Sequence, residues 1–235
     1  MKTDRVLVTG ADQHQALAVI RGLGLAGIFV VAASPTSRCI GFASRYARET
    51  ALYTSPHVDI ERFIADIIEI VQRHQITMIV PAVESTLVAL DRYRERIEQH
   101  AVLAAPDSAT LDWAVDKLKT IETAEQLGVP VPRTHCSDDL EETLTKTRDF
   151  RFPVALKPRG NSLHATTLNQ LGFKVKYART PAELEQLLCS LQPGGVLPMV
   201  QEYVYGIGVC VAALFERGRP VVLLPYQRVR ELPLT

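Results

Sequence analysis

The chain has 235 residues, 26 basic and 26 acidic side chains, and no formal net charge; 47% of its residues are hydrophobic and 22% are charged. These fractions are those of a globular protein with room for one large or two modest domains. No global field recruits nucleic acid or an anionic membrane, and polar residues interrupt each apolar run before the ~20 residues that a membrane helix needs.

Taken in chain order, residues 5–10 read as a short apolar strand ending in Gly10, after which Ala16, Leu17, Ile20 and Leu23 fall on one helical face. Gly24 and Gly27 stop that helix, and the apolar run at 28–33 supplies the next strand, so the chain opens with a βαβ unit suited to a parallel sheet. Ile60, Phe63, Ile64, Ile67, Ile68 and Val71 recur at helical spacing, and a strand at 77–80 precedes Pro81. A helix around Leu87, Leu90 and Ile97 and a strand at 101–103 continue the alternation. The pattern predicts a doubly wound α/β domain over residues 1–106.

Past Pro106 the character changes. One long helix is predicted over 107–127, stopped by Gly128 and by the prolines of Val129-Pro130-Val131-Pro132. Strands are expected at 153–157 and 173–177. Thr180-Pro181-Ala182-Glu183 has the make-up of a capping box at a helix start. A strand at 199–204 follows, and 209–215 is expected to pair with 220–225 across the turn at 216–219. This second half is α+β with antiparallel pairing.

Gly10 sits where a glycine turn can hold a pyrophosphate on free N–H groups, but the second and third glycines of the dinucleotide fingerprint are absent. Ser34-Pro35-Thr36-Ser37 also stands where a ribose-binding carboxylate would follow the second strand. A dinucleotide site and a plain structural turn both stay open. The six histidines are scattered, without metal-ligand spacing, and no Gly-x-Ser-x-Gly elbow supports hydrolase chemistry. Cys39, Cys136, Cys189 and Cys210 form no Cys-x-x-Cys pair in a chain without a secretory signal, which points to reduced thiols in a soluble cytoplasmic protein.

Two lysines carry the stronger signal. Asp116-Lys117 lies on the predicted long helix, and Phe152-Pro153-Val154-Ala155-Leu156-Lys157-Pro158 places Lys157 at the end of an apolar strand. In these segments the sequence resembles the ATP-grasp superfamily, and within it the carbamoyl-phosphate-synthase-like carboxylate–amine ligases, over nearly the whole chain. The resemblance implies that Lys117 and Lys157 contact the phosphates of ATP, and two lysines on rigid elements do neutralise a polyphosphate as point charges. A Lys after an Asp on an amphipathic helix is also what a solvated face produces. Lys157 is less easily explained that way, since patterning seldom ends a buried strand in a lysine.

The resemblance also makes Gln201-Glu202-Tyr203-Val204 the hinge against which adenine lies, its backbone reading the base edge and Gln201 or Glu202 adding polar specificity. A Gln-Glu pair on an exposed strand end is the plain alternative. Ribose-holding glutamates have no counterpart, because Gly206-Ile207-Gly208 occupies that stretch. Where the family has a glycine-rich loop over the phosphates, this chain has Arg159-Gly160-Asn161-Ser162; N–H groups at 160–162 suit an anion nest, with Arg159 and the Ser162 hydroxyl as donors. Arg228 and Arg230 resemble a basic segment before the substrate loop and share one face of a strand, which suits a carboxylate or phosphate.

The implied architecture is a pre-ATP-grasp α/β domain at 1–106, followed at 107–235 by the N-terminal part of an ATP-grasp domain: linker helix, lid and the first strands of an incomplete large subdomain. The implied reaction activates a small-molecule carboxylate with ATP as an acyl phosphate, which an amine then attacks. The ligands for Mg2+ are expected beyond residue 235, so the chain alone is expected to be inactive. Its uncovered apolar sheet face favours self-association, a homodimer being one form, or instability. Two other classes stay open: a non-catalytic nucleotide- or metabolite-binding module, and a nicotinamide-dependent oxidoreductase resting on the first domain.

Overall fold

A computed structural model describes residues 4–158, 173 and 175–230. Strands β1 (Arg5–Thr9), β2 (Phe29–Ser34), β3 (Ala47–Leu52), β4 (Met78–Pro81) and β5 (Val102–Leu103) form a sheet in the order β3-β2-β1-β4-β5. All four pairings are parallel. Alternate residues of a strand face opposite sides, and here both sides are apolar. Val6, Val8, Val30 and Ala32 pack on Ala16 and Ile20 of helix α1 (His14–Leu25). Leu7, Val31, Ala33 and Ile79 pack on Phe63, Ile64 and Ile67 of α2 (Ile60–Arg73) and on Ala89 and Leu90 of α3 (Glu84–Arg92). With helices on both faces, this sheet is the doubly wound one that the strand–helix alternation predicts.

Local details depart from the sequence reading. The helix expected around residues 87–97 is two, α3 and α4 (Arg94–Glu98). The edge strand β3 has no counterpart in the predicted pattern: Ala47-Arg48-Glu49-Thr50-Ala51-Leu52 buries no residue fully, so its apolar signal is weak.

The long helix expected over 107–127 is also two, α5 (Ser108–Val115) and α6 (Lys117–Gln126), separated by an extended Asp116. The Asp116 carboxylate accepts hydrogen bonds from the backbone N–H groups of Leu118 and Lys119, at 2.9 and 3.2 Å. An Asp that satisfies the otherwise free N–H groups of a first turn starts a helix rather than continuing one. Lys117 is therefore the first residue of α6 and not a mid-helix surface lysine. Asp116→Ala should cost about 1 kcal/mol of stability in urea denaturation, the usual worth of an N-cap; an unchanged midpoint would show that something else breaks the helix.

A second sheet combines β6 (Thr134–His135), β7 (Val154–Lys157), β8 (Lys176–Ala178) and β9 (Met199–Glu202) in the order β6-β9-β7-β8, all antiparallel. Between them run α7 (Leu140–Thr147) and α8 (Pro181–Leu191). Val154, Leu156 and Val200 share a core with Leu184 and Leu188 of α8, while Leu140 and Leu144 of α7 pack against it. Thr180 caps α8 through Glu183 N–H at 3.2 Å, and the Glu183 carboxylate reaches back to Arg179 N–H at 2.7 Å, one residue before the cap. The strand expected at 173–177 lies at Lys176–Ala178, and the one expected at 199–204 ends at Glu202.

The predicted hairpin is present: β10 (Val209–Glu216) pairs antiparallel with β11 (Arg219–Gln227). Arg217 and Gly218 both adopt positive φ, which suits the twist of a two-residue turn. Its apolar side chains, Val211, Leu223 and Leu224 among them, are exposed. Among the described residues no helix is long and apolar enough to cross a membrane.

Candidate functional site

One face of the second sheet packs on its helices, and register decides which residues meet on the other. Ala155 of β7 lies opposite Gln201 of β9, and Gln201 lies opposite Thr134 of β6. Lys157 stands two residues beyond Ala155 and so projects from the same face as Gln201 and Thr134, away from the Leu156 and Val200 core. The three side chains form a continuous link across the strands. Lys157 Nζ donates to Gln201 Oε1 at 2.6 Å, Gln201 Nε2 donates to Thr134 Oγ1 at 2.8 Å, and the Thr134 hydroxyl donates to the Pro132 carbonyl at 2.8 Å. Gln201 is 7% exposed, so both ends of its amide are used in the interior.

Lys117 approaches from α6, its Nζ donating to the Pro158 carbonyl at 3.3 Å, one residue past the end of β7. The start of α6 and the end of β7 thus bring the two lysines together. Burial, and then the charge of Lys117, push the Lys157 ammonium below the ordinary lysine pKa. Among the described residues, no carboxylate forms an ion pair with Lys157; its partner there is the neutral Gln201 amide. A half-buried ammonium near a second cation and without a counter-charge is held at a cost that a bound anion would remove.

The other predicted residues are differently placed. Glu202 is turned into the structure: its Oε1 accepts from Arg151 N–H at 2.8 Å and from Arg133 Nη1 at 3.4 Å, while Glu202 N–H donates to the Arg133 carbonyl at 2.9 Å. Its carboxylate therefore ties β9 to the segments before β6 and β7. Val204 lies beyond the strand end and is exposed, next to the edge-to-face pairs that Tyr203 makes with Tyr177 and Tyr205. Arg228 and Arg230 are exposed after the hairpin, away from the lysine pair in sequence. Arg159 and Ser162 lie outside the described residues. Thr134 is a component that sequence reading did not single out; a polar residue in a two-residue strand after Pro132 carries no pattern of its own. Among the described residues no group of three or more His, Cys, Asp or Glu side chains is placed to hold a metal ion.

The fold is one shared with ligases and carboxylases of known structure. The chain is similar to an L-amino acid ligase from Bacillus licheniformis, with a TM-score of 0.68 and 13% identity over 94% of this chain and 49% of that one. It is similar to N5-carboxyaminoimidazole synthetase from Staphylococcus aureus complexed with ADP, with a TM-score of 0.64 and 12% identity over 94% of this chain and 54% of the other. It is similar too to the biotin carboxylase domain of the Hydrogenobacter thermophilus 2-oxoglutarate carboxylase, in a complex that holds MgADP, ADP and bicarbonate; here the TM-score is 0.61 and identity 19%, over 88% and 45% of the two chains. The chain spans about half the length of these structures. No protein-family model and no curated protein matches it.

Proposed function

We propose that the chain binds the polyphosphate of ATP between Lys117 and Lys157 and belongs to the machinery of an ATP-grasp carboxylate–amine ligase, with the second sheet as its nucleotide-binding part. The observation that carries this reading is Lys157: a half-buried ammonium, held in direction by Gln201 and Thr134, that shares its surroundings with a second lysine and, among the described residues, has no carboxylate to neutralise it. Two point charges on rigid elements suit the phosphates, whose transfer depends mostly on positioning and charge stabilisation. The fold shared with structures that hold ADP supports the same ligand. In this reading Gln201 serves the nucleotide through Lys157, its side chain being committed to the lysine, and the base contacts fall to backbone groups around residues 202–204. The ligated carboxylate and amine are small molecules, and Mg2+ would accompany the nucleotide.

Isothermal titration with ATP, ADP, AMP and NAD tests the proposal. ATP and ADP should bind more tightly than AMP, because the lysines read phosphates beyond the first. Equal affinity for all three adenine nucleotides would remove the phosphate assignment, and binding of NAD alone would favour an oxidoreductase built on the first sheet.

A further inference from the structure

Lys157 is placed as a nucleophile as well as a charge. Its nitrogen is held by an acceptor, Gln201 Oε1 at 2.6 Å, and the Gln201 amide is fixed in that sense because its Nε2 donates to Thr134 Oγ1 at 2.8 Å. One N–H is enough to satisfy that oxygen. Lys117, whose Nζ donates to the Pro158 carbonyl at 3.3 Å, sets a second cation beside it. Among the described residues no carboxylate pairs with Lys157.

A lysine attacks an electrophile only as the free amine, and desolvation or a neighbouring cation is what frees it. Both act here. Burial, and then the charge of Lys117, let Lys157 give up its proton more readily than an exposed lysine does. The half-buried position leaves one side of the nitrogen within reach of a small molecule, while the bond to Gln201 fixes its direction.

Charge decides which electrophile suits the place. An aldehyde would turn the amine into an imine and an acyl donor would turn it into an amide, and neither product is an anion. CO2 leaves a carboxylate. The nitrogen lone pair forms an N–C bond, one C=O electron pair moves onto oxygen, and the ammonium's two lost protons go to solvent, so R–NH3+ and CO2 give R–NH–COO− and two H+. The nitrogen keeps one N–H, which preserves the bond to Gln201 Oε1, and the repulsion between two lysines becomes an ion pair between the carbamate and the Lys117 ammonium. We propose that Lys157 is a modification site for CO2, its ε-nitrogen carrying a carbamate whose carboxylate pairs with Lys117. The carbamate forms without nucleotide. Its further consequence, that CO2 competes with ATP because a carbamate repels phosphates, rests on the nucleotide reading above.

The test is 13C NMR of the full chain, free of nucleotide, in buffer equilibrated with 13CO2 at about pH 8, near the ordinary pKa of an α-amino group. Adducts are then O-ethylated with a trialkyloxonium salt and placed by peptide mass spectrometry. The α-amino group gives a background carbamate in every variant, and a second adduct should map to Lys157. Lys157→Met should remove that adduct. Lys117→Met, which leaves Lys157 in place, should weaken CO2 uptake there by about fivefold, the upper worth of a partly exposed ion pair. Both variants are checked to melt as the parent does. The proposal is overturned if pure 13CO2 gives no adduct on Lys157, if the other lysines carry it equally, or if Lys117→Met leaves uptake at Lys157 unchanged. Titration with ATP separates the two readings. ATP should discharge the Lys157 adduct as it binds; an adduct that survives saturating ATP upholds the carbamate and removes the phosphate assignment. ATP binding by a chain that never forms the adduct overturns the carbamate and leaves the nucleotide reading intact.

Discussion

Lys157→Met should weaken ATP binding by about 1.5–3 kcal/mol, roughly ten- to a hundredfold in Kd, the range for a hydrogen bond to a charged group. Methionine keeps the unbranched stem in place and removes only the ammonium, so the loss reports charge rather than packing. In the ligand-free chain the change should alter stability little, because relief of a half-buried charge beside Lys117 offsets the loss of the hydrogen bond to Gln201 Oε1, itself worth about 1–3 kcal/mol. That opposition between affinity and stability is the signature of a charge kept for a ligand. If the variant binds ATP as the parent does, Lys157 does not hold the phosphates; if it loses stability and affinity together, the lysine is structural.

The pH dependence follows from the sign of the shift. Burial and Lys117 lower the Lys157 pKa from its ordinary 10.5, so the ammonium needed by the phosphates is lost at a lower pH than for an exposed lysine. ATP affinity should fall as pH rises through that lowered value, and the Lys157-dependent part of the fall should vanish in Lys157→Met. In the ligand-free chain the linkage runs the other way. A lysine that gives up its proton more readily in the fold than in the unfolded chain weakens the fold while it is charged in both, and the penalty lifts as pH rises from the folded pKa toward the unfolded one. Alkaline pH should thus reduce affinity and relieve the ligand-free fold at the same residue.

What the sequence made legible was whatever rests on short-range pattern. The alternation of apolar runs and helical faces over residues 5–103 predicted a parallel α/β sheet, and the turn at 216–219 predicted the hairpin, because strand period, helix period and turn chemistry are each read within about ten residues. Lys157 was visible for the same reason, as a charge at the end of an apolar strand. The break at Asp116 was not, since an Asp within a run of good helix formers reads as a surface residue until its carboxylate is seen capping Leu118 and Lys119. Nor was the link from Lys157 through Gln201 to Thr134, whose members lie 44 and 67 residues apart and meet only through the register of three strands. Glu202 shows the converse: a polar residue in a promising segment whose carboxylate is spent on Arg151 N–H, a partner 51 residues away. The junction of β1 with α3 was half legible: Gly10 marked the turn, but the hydrogen bond between the Thr9 and Thr86 hydroxyls joins residues 77 apart, which only the strand order brings together.

Gly10→Ala should destabilise the chain by about 2–5 kcal/mol, the sum of two separable costs. The first is conformational. Gly10 has φ +72°, in the left-handed region, which costs an L-residue roughly 1–2 kcal/mol. The second is steric. A Cβ built on Gly10 falls 2.7 Å from both methyl groups of Val83, at the start of α3, a contact that the packed crossover relieves only by displacing that start; overpacking of this kind costs about 1–3 kcal/mol. The turn has little freedom to yield, since Gly10 N–H is held by the Tyr53 hydroxyl and Gln13 N–H donates to the Gly10 carbonyl. Chemical denaturation followed by far-UV circular dichroism, on Gly10→Ala, Val83→Ala and the double variant, separates the two terms. Removing the Val83 methyls should return the steric part and leave the conformational part, so the double variant should be more stable than additivity of the single changes allows, by about 1–3 kcal/mol. Strict additivity would mean that Val83 does not oppose the new methyl group. A total loss below about 1 kcal/mol would mean that the turn relaxes out of the left-handed region at little cost. In that case Gly10 would owe its place to neither strain nor contact, and the crossover between β1 and α3 would be softer than its hydrogen bonds indicate.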